Sequence, residues 1–124
     1  MSDFGIIGIG RIGTSMARNM SSKGIIVSLY DKSHNSLDNL KNDYPELESS
    51  LVFDDINKFI SSISKPRKVL VLVPSGPALD EVISLLIQHL DSNDILIDGG
   101  NTNPNVSFEN HQRIKSKNFL YLGI

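Results

Sequence analysis

The chain contains no cysteine. Disulfides, thiolate nucleophiles and cysteine-ligated metals are therefore excluded. An excess of charge of one sign is also lacking: twelve basic residues face fourteen acidic ones, a formal net charge of −2. That balance argues against a dedicated nucleic-acid binder. Lys65-Pro66-Arg67-Lys68 is the densest basic stretch, and a single turn is too small for a nucleic-acid patch. No apolar run reaches membrane-spanning length, and the first residues lead straight into an apolar strand without a signal-peptide pattern. A cytoplasmic protein with no membrane partner is the expectation. His34, His89 and His111 are far apart, with no metal-ligand spacing. Ser75 has no Gly-x-Ser-x-Gly elbow around it, which speaks against a serine nucleophile. No repeat, linker or low-complexity tract interrupts the sequence, and 124 residues suit one domain, 1–124. Such a domain buries about two thirds of the surface exposed by its unfolded chain.

Glycine, by contrast, is concentrated where it matters. Phe4-Gly5-Ile6-Ile7-Gly8-Ile9-Gly10-Arg11-Ile12-Gly13 reads as a short apolar strand, a glycine turn and the first turn of a helix. The spacing Gly8-x-Gly10-x-x-Gly13 lets backbone N–H groups approach a pyrophosphate at a helix N-terminus, where the dipole and unpaired donors favour an anion. Context strengthens the motif. A second apolar strand, Ile25 to Tyr30, ends at Asp31, eighteen residues after Gly13, near the spacing at which a dinucleotide fold places its ribose ligand.

The rest of the chain alternates strand with helix. The first helix is expected over Arg11 to Ser22, with Ile12, Met16 and Met20 four apart on one face and Gly24 as its C′ residue. Ser33 is placed as the cap of a short helix over His34 to Asp43, with Leu37 and Leu40 inside, ended by Pro45. Strand Leu51 to Phe53 and a helix from Ile56 to Ser62 follow. Val69 to Val73 is a central buried strand, and Pro77 begins a helix carrying Leu79, Val82, Ile83, Leu86, Ile87 and Leu90 at helical spacing. Strand Ile95 to Ile97 runs into Asp98-Gly99-Gly100-Asn101-Thr102. A polar helix over Asn105 to Lys117 leads to a last strand, Phe119 to Leu122. Six strands alternating with helices predict an α/β fold: a Rossmann-type, doubly wound, parallel six-stranded sheet with helices on both faces.

Three segments carry a family resemblance. Gly5-Ile6-Ile7-Gly8-Ile9-Gly10-Arg11-Ile12-Gly13-Thr14-Ser15-Met16-Ala17-Arg18-Asn19-Met20 resembles the N-terminus of the 6-phosphogluconate dehydrogenase and 3-hydroxyacid dehydrogenase superfamily. Leu72-Val73-Pro74-Ser75-Gly76-Pro77-Ala78-Leu79-Asp80 is similar to its Val-Pro-x-Gly-x-x-Val-Asp segment. Asp98-Gly99-Gly100-Asn101-Thr102 looks like the Asp-Gly-Gly-Asn-Ser/Thr loop of 6-phosphogluconate dehydrogenases, where the hydroxyisobutyrate branch has Asp-x-Ser-Thr.

The resemblance implies a nicotinamide dinucleotide cofactor, with Gly8, Gly10, Arg11, Ile12 and Gly13 at the pyrophosphate. Val73, Pro74 and Ser75 are expected beside the adenosine ribose and nicotinamide. Asn101 is expected where cofactor meets substrate, with Gly99 and Gly100 allowing close approach. The implied chemistry is hydride transfer from 6-phosphogluconate followed by decarboxylation. The family's usual Asn-Arg-Thr for the 2′-phosphate of NADP is here Asp31-Lys32-Ser33. The carboxylate favours NAD; the cation and hydroxyl remain available to a phosphate, so both cofactors stay open. Pro104 stands at the family's tyrosine, and Glu109 and Asn110 at its arginine pair. The Ser-Gly-Gly motif, catalytic lysine and glutamate belong to the family's later helical domain, through which its dimers form. None lies in these 124 residues, so this stretch is expected to bind cofactor without catalysing. The alternatives are a domain of a 3-hydroxyisobutyrate-type dehydrogenase and a stand-alone dinucleotide-binding regulatory module. An S-adenosylmethionine methyltransferase is disfavoured by the third glycine and the Asp-Gly-Gly-Asn loop.

Overall fold

The structure, a computed structural model, describes residues 1–31, 40–73, 77–99 and 108–123. Strands β1 (Phe4–Ile7), β2 (Val27–Tyr30), β3 (Leu51–Phe53), β4 (Lys68–Val71), β5 (Ile95–Asp98) and β6 (Leu120–Gly123) form one sheet in the order β3-β2-β1-β4-β5-β6. Every pairing is parallel, with Ile6 opposite both Leu29 and Leu70. The helices are α1 (Arg11–Ser22), α2 (Leu40–Asp43), α3 (Ile56–Ser61), α4 (Pro77–His89) and α5 (Phe108–Lys117). None of them is long and apolar enough to cross a membrane.

Side-chain alternation divides the core into two layers. Ile6, Val27, Leu29 and Leu70 pack with Ala17 of α1, Leu40 of α2 and Leu47. Ile7, Val69 and Val71 pack with Phe59 of α3, Leu79 and Ile83 of α4 and Ile114 of α5. Helices therefore cover both faces, as the doubly wound pattern requires. Over β5 and β6 the α1 side has no helix among the described residues, leaving Leu120 and Leu122 exposed.

Local chemistry explains most boundaries. Gly24 takes φ +82° just past α1, its N–H donating to Ser21 and that of Ile25 to Met20, a Schellman closure. That closure uses Ile25, so β2 begins at Val27 and not at Ile25 as expected. Asp55 caps α3, its carboxylate accepting from the N–H groups of Asn57 (2.8 Å) and Lys58 (3.2 Å). Buried Ser28 in β2 is satisfied by Ser2 and Ser62, each 2.6 Å away. β1 stops at Ile7 because Gly8 leaves the strand at φ +100°. β4 likewise ends at Val71, before the expected Val73, and β6 begins one residue later than expected.

One expectation about α1 is overturned. Ile12 does not join the inner stripe; it is 66 % exposed, while Gly13 and Ala17 are the buried residues. Contact this close to the Gly8 carbonyl requires a glycine, so the helix turns Gly13 inward and Ile12 outward. The Ser33 cap, Leu37 and the first residues of the polar helix before Phe108 fall outside the described residues.

Candidate functional site

The strand order reverses between β1 and β4, and the carboxyl ends of these neighbours open a crevice. The glycine turn follows β1 there. Gly8 donates its N–H to Tyr30 at 3.1 Å, and Leu72 donates to Ile7 at 2.8 Å, so the ladders run on into the turn. A side chain on Gly8 would lie 3.1 Å from the Leu72 carbonyl oxygen. Gly10 is the N-cap of α1, in extended geometry and with no side chain to occupy the first-turn N–H groups. A Cβ on Gly10 would meet nothing within 4 Å. On Gly13 it would overlap the Gly8 carbonyl oxygen and lie 3.3 Å from the carbonyl carbon. The first and third glycines thus build the turn, and the second leaves its surface open.

Two clefts flank this turn. The larger, about 420 Å³, is lined by Ile7, Gly8, Ile9, Gly10, Tyr30, Asp31, Leu72, Val73, Ala78 and Val82. The smaller, about 260 Å³, is lined by Gly8, Gly10, Arg11, Ile12, Gly13, Leu72 and Gly99. They share Gly8, Gly10 and Leu72, so a long ligand can cross from one to the other over the turn. Asp31 sits at the end of β2, where its carboxylate accepts from the Ile9 N–H at 3.0 Å. Tyr30 beside it packs on Phe59, ring centroids 5.8 Å apart. Burial first, then the negative charge of Asp31, raise the Tyr30 phenol above its ordinary value.

The structure brings Gly8, Gly10, Arg11, Ile12, Gly13, Asp31, Val73 and Gly99 to this crevice. Lys32, Ser33, Pro74, Ser75, Gly100 and Asn101 lie outside the described residues. Tyr30, Ala78 and Val82 also line the larger cleft, and no motif in the sequence marks them as site residues. Ala78 and Val82 are one turn apart on α4 directly after β4, a spacing that also fits plain core packing.

Asp98 ends β5 and is buried, and its carboxylate accepts from the Tyr121 hydroxyl of β6 at 2.8 Å. Gly99 itself donates to Val71 at 2.9 Å, which keeps it in the cleft wall. Burial, followed by the bond to Asp98 and its charge, raises the Tyr121 phenol. A folded value above the unfolded one of about 10 means this contribution is complete below pH 10 and lost as pH climbs further. Tyr121→Phe is expected to cost about 1–2 kcal/mol at pH 8, because buried Asp98 loses a donor. In urea unfolding the gap between parent and variant should narrow at pH 10.5; an equal gap at both pH values would refute the assignment.

Comparison with known proteins agrees with this geometry. Residues 3–124 match the family described as the NAD binding domain of 6-phosphogluconate dehydrogenase. A decarboxylating 6-phosphogluconate dehydrogenase of Staphylococcus epidermidis is 36 % identical over 122 residues, which cover 97 % of this chain and 26 % of that protein. The Plasmodium falciparum 6-phosphogluconate dehydrogenase, solved as apo form and with NADP+ or 6-phosphogluconate, superposes with a TM-score of 0.79 at 31 % identity. That match covers 98 % of this chain and 27 % of the other. A 3-hydroxyisobutyrate dehydrogenase of Mycobacterium tuberculosis, at 17 % identity and TM-score 0.73 over 99 % of this chain and 40 % of its own, shares the fold. The chain spans about a quarter of the length of the curated relatives it matches. By its sequence match, its strand order and its glycine turn, the chain belongs to the family of the NAD binding domain of 6-phosphogluconate dehydrogenase.

Proposed function

We propose that these residues bind a nicotinamide dinucleotide across the glycine turn and form the cofactor-binding part of a 6-phosphogluconate dehydrogenase-type oxidoreductase. The observation that carries this is the pair of clefts meeting at Gly8 and Gly10, at the strand-order reversal. The turn fits such a group: Gly10 leaves open space where a Cβ would stand, and the start of α1 supplies donors for a pyrophosphate. The larger cleft, mostly apolar and with Asp31 at its rim, suits adenosine. The smaller one, with Arg11 and Gly99, leads towards the nicotinamide end. When bound, the cofactor supplies the hydride acceptor.

This chain's residues bind and orient. Arg11, Ile12 and Gly13 lie along the pyrophosphate; Lys32, Ser33, Val73, Pro74 and Ser75 complete the cofactor site; Asn101, with Gly99 and Gly100, meets the substrate, a sugar-acid phosphate. The reaction in the whole enzyme is oxidation of 6-phosphogluconate with decarboxylation. It requires a base for the hydroxyl proton and an acid for the enol. The resemblance puts both beyond the matched region, so a polypeptide of these 124 residues is expected to bind cofactor without turnover. Calorimetric titration of the purified chain with NAD and NADP tests the proposal. Saturable one-to-one binding of at least one is the expected result; binding of neither overturns it.

A further inference from the structure

We propose that Asn110 is a positioning residue for the cofactor: from α5 it holds the first turn of α4, and so fixes the wall of the cleft assigned to adenosine. The inference rests on the dinucleotide reading above. Ala78 and Val82 line the larger cleft from α4. They stand four residues apart, on one side of that helix. Asp80, in the same first turn, lies between them in sequence and about half a turn round from both. There Asn110 reaches it. The Asn110 amide donates to the Asp80 carboxylate at 2.8 Å and to the Asp80 carbonyl oxygen at 3.2 Å. Its own oxygen accepts from the Arg113 guanidinium at 3.2 Å. One turn further along both helices, Arg113 donates to the Ser84 hydroxyl at 2.8 Å and to the Ser84 carbonyl oxygen at 3.4 Å. Asn110 is 3 % exposed, so its part of this strip is sealed between α4 and α5.

Two features make Asn110 the residue that sets position. Its amide is oriented from both ends, giving a donor to a carboxylate and an acceptor to a guanidinium at once. Turned over, it would set oxygen against oxygen and N–H against N–H. The apolar packing of α4 supplies the second feature. Leu79 and Ile83 are fully buried in the core beneath the helix. That attraction is non-directional: it holds α4 near the sheet without fixing its rotation. The bonds from Asn110 and Arg113 are directional, and they set how far α4 is turned about its axis. A rotation of about 20° carries a Cα through about 0.8 Å. A gap of that size forfeits about a quarter to a half of a van der Waals contact. A small turn of α4 is therefore enough to loosen Ala78 and Val82 from a ligand.

The test uses two probes on the purified chain, by calorimetry. ADP-ribose spans the larger cleft and the glycine turn; inorganic pyrophosphate needs the turn alone. Asn110→Asp keeps an acceptor for Arg113 and sets a second carboxylate against Asp80. ADP-ribose is expected to bind about tenfold weaker, from one lost buried hydrogen bond and the like-charge contact. Pyrophosphate, held elsewhere, should stay within about twofold of the parent. Adding Asp80→Asn exchanges the two groups, with the carboxylate on α5 and the amide on α4, and restores a donor–acceptor pair. ADP-ribose affinity should then return to within about threefold of the parent. A residue that only stabilises the fold would show no such rescue, since every titration is made well below the melting point of its variant. Asn110→Ala carries the same comparison should Asn110→Asp not fold, with ADP-ribose about fivefold weaker and pyrophosphate unchanged. Unchanged ADP-ribose affinity in the single variants, equal loss for both probes, or no recovery in the exchange variant each overturns the proposal and leaves the dinucleotide reading intact. A parent chain that binds no ADP-ribose defeats that reading, and the proposal with it.

Discussion

Gly13→Ala is expected to lower stability by about 3 kcal/mol and to abolish measurable dinucleotide binding. The added methyl has no room: it would overlap the Gly8 carbonyl oxygen, and both partners are main chain. A flexible side chain can rotate away from an intruder; here either α1 must lift from the sheet or the turn must shift. Overpacking of this kind costs about 1–3 kcal/mol, more where backbone must move. Either relief also displaces Gly8, which is tied to Tyr30 by its N–H and stands 3.1 Å, through its virtual Cβ, from Leu72. The turn that both clefts share is then lost. Gly10→Ala makes the contrasting case. Its geometry, φ −99° and ψ −161°, is open to alanine, and the methyl meets no protein atom within 4 Å. Stability should be unchanged or up by about 0.5 kcal/mol, while affinity falls at least tenfold, because the methyl fills the space a pyrophosphate needs. Thermal unfolding and cofactor titration of the two variants decide the matter. If both lose stability alike, the division of labour between the glycines is wrong.

Much of the fold was legible because its signals are local. The limits of α1 and β3 follow from periodicity and flanking residues, and the turn from glycine spacing. The six alternating strands sufficed for a parallel, doubly wound sheet, since crossover handedness leaves few other arrangements. Periodicity misled at Ile12. A stripe of Ile12, Met16 and Met20 ranks by hydrophobicity, yet the helix approaches the sheet along its smallest residues, Gly13 and Ala17. Long-range pairings were not legible. The Asp31 carboxylate reaches Ile9 across 22 positions, and Tyr121 reaches Asp98 across 23. Each depends on which strands become neighbours and in what register, which no window of local sequence encodes. The Asp55 cap is a local signal of the same kind, one residue before the first apolar position of α3.

The opposite end of the sheet should behave in the reverse manner, and Asp94→Ala is the variant that shows it. Asp94, 1 % exposed, precedes β5 at the amino edge, far from the crevice. One carboxylate oxygen accepts from the Arg67 N–H at 2.7 Å; the other accepts from the Asp91 N–H at 2.8 Å and the Arg67 guanidinium at 3.3 Å. Arg67, only 12 % exposed in its side chain, also reaches Asp91, which Lys65 holds at 2.7 Å. The Lys65 ammonium, and then Arg67, lower the Asp91 carboxyl below its ordinary range. Removing the Asp94 carboxylate leaves two main-chain donors and most of a buried guanidinium short of an acceptor. Breaking a buried charged pair from one side costs about 3–5 kcal/mol; the part that Asp91 retains puts the expectation near 3 kcal/mol, roughly 10 °C in Tm. Dinucleotide affinity, measured well below the melting point, should stay within about twofold of the parent, since among the described residues those that line the two clefts make no side-chain bond to this cluster. A loss under 1 kcal/mol would mean that water replaces the carboxylate without strain. A loss of affinity with retained stability would mean that the two ends of the sheet are mechanically linked. Either result would break the division on which both glycine variants rest: a carboxyl end shaped for a ligand, held by an amino end that serves only to keep the strands in place.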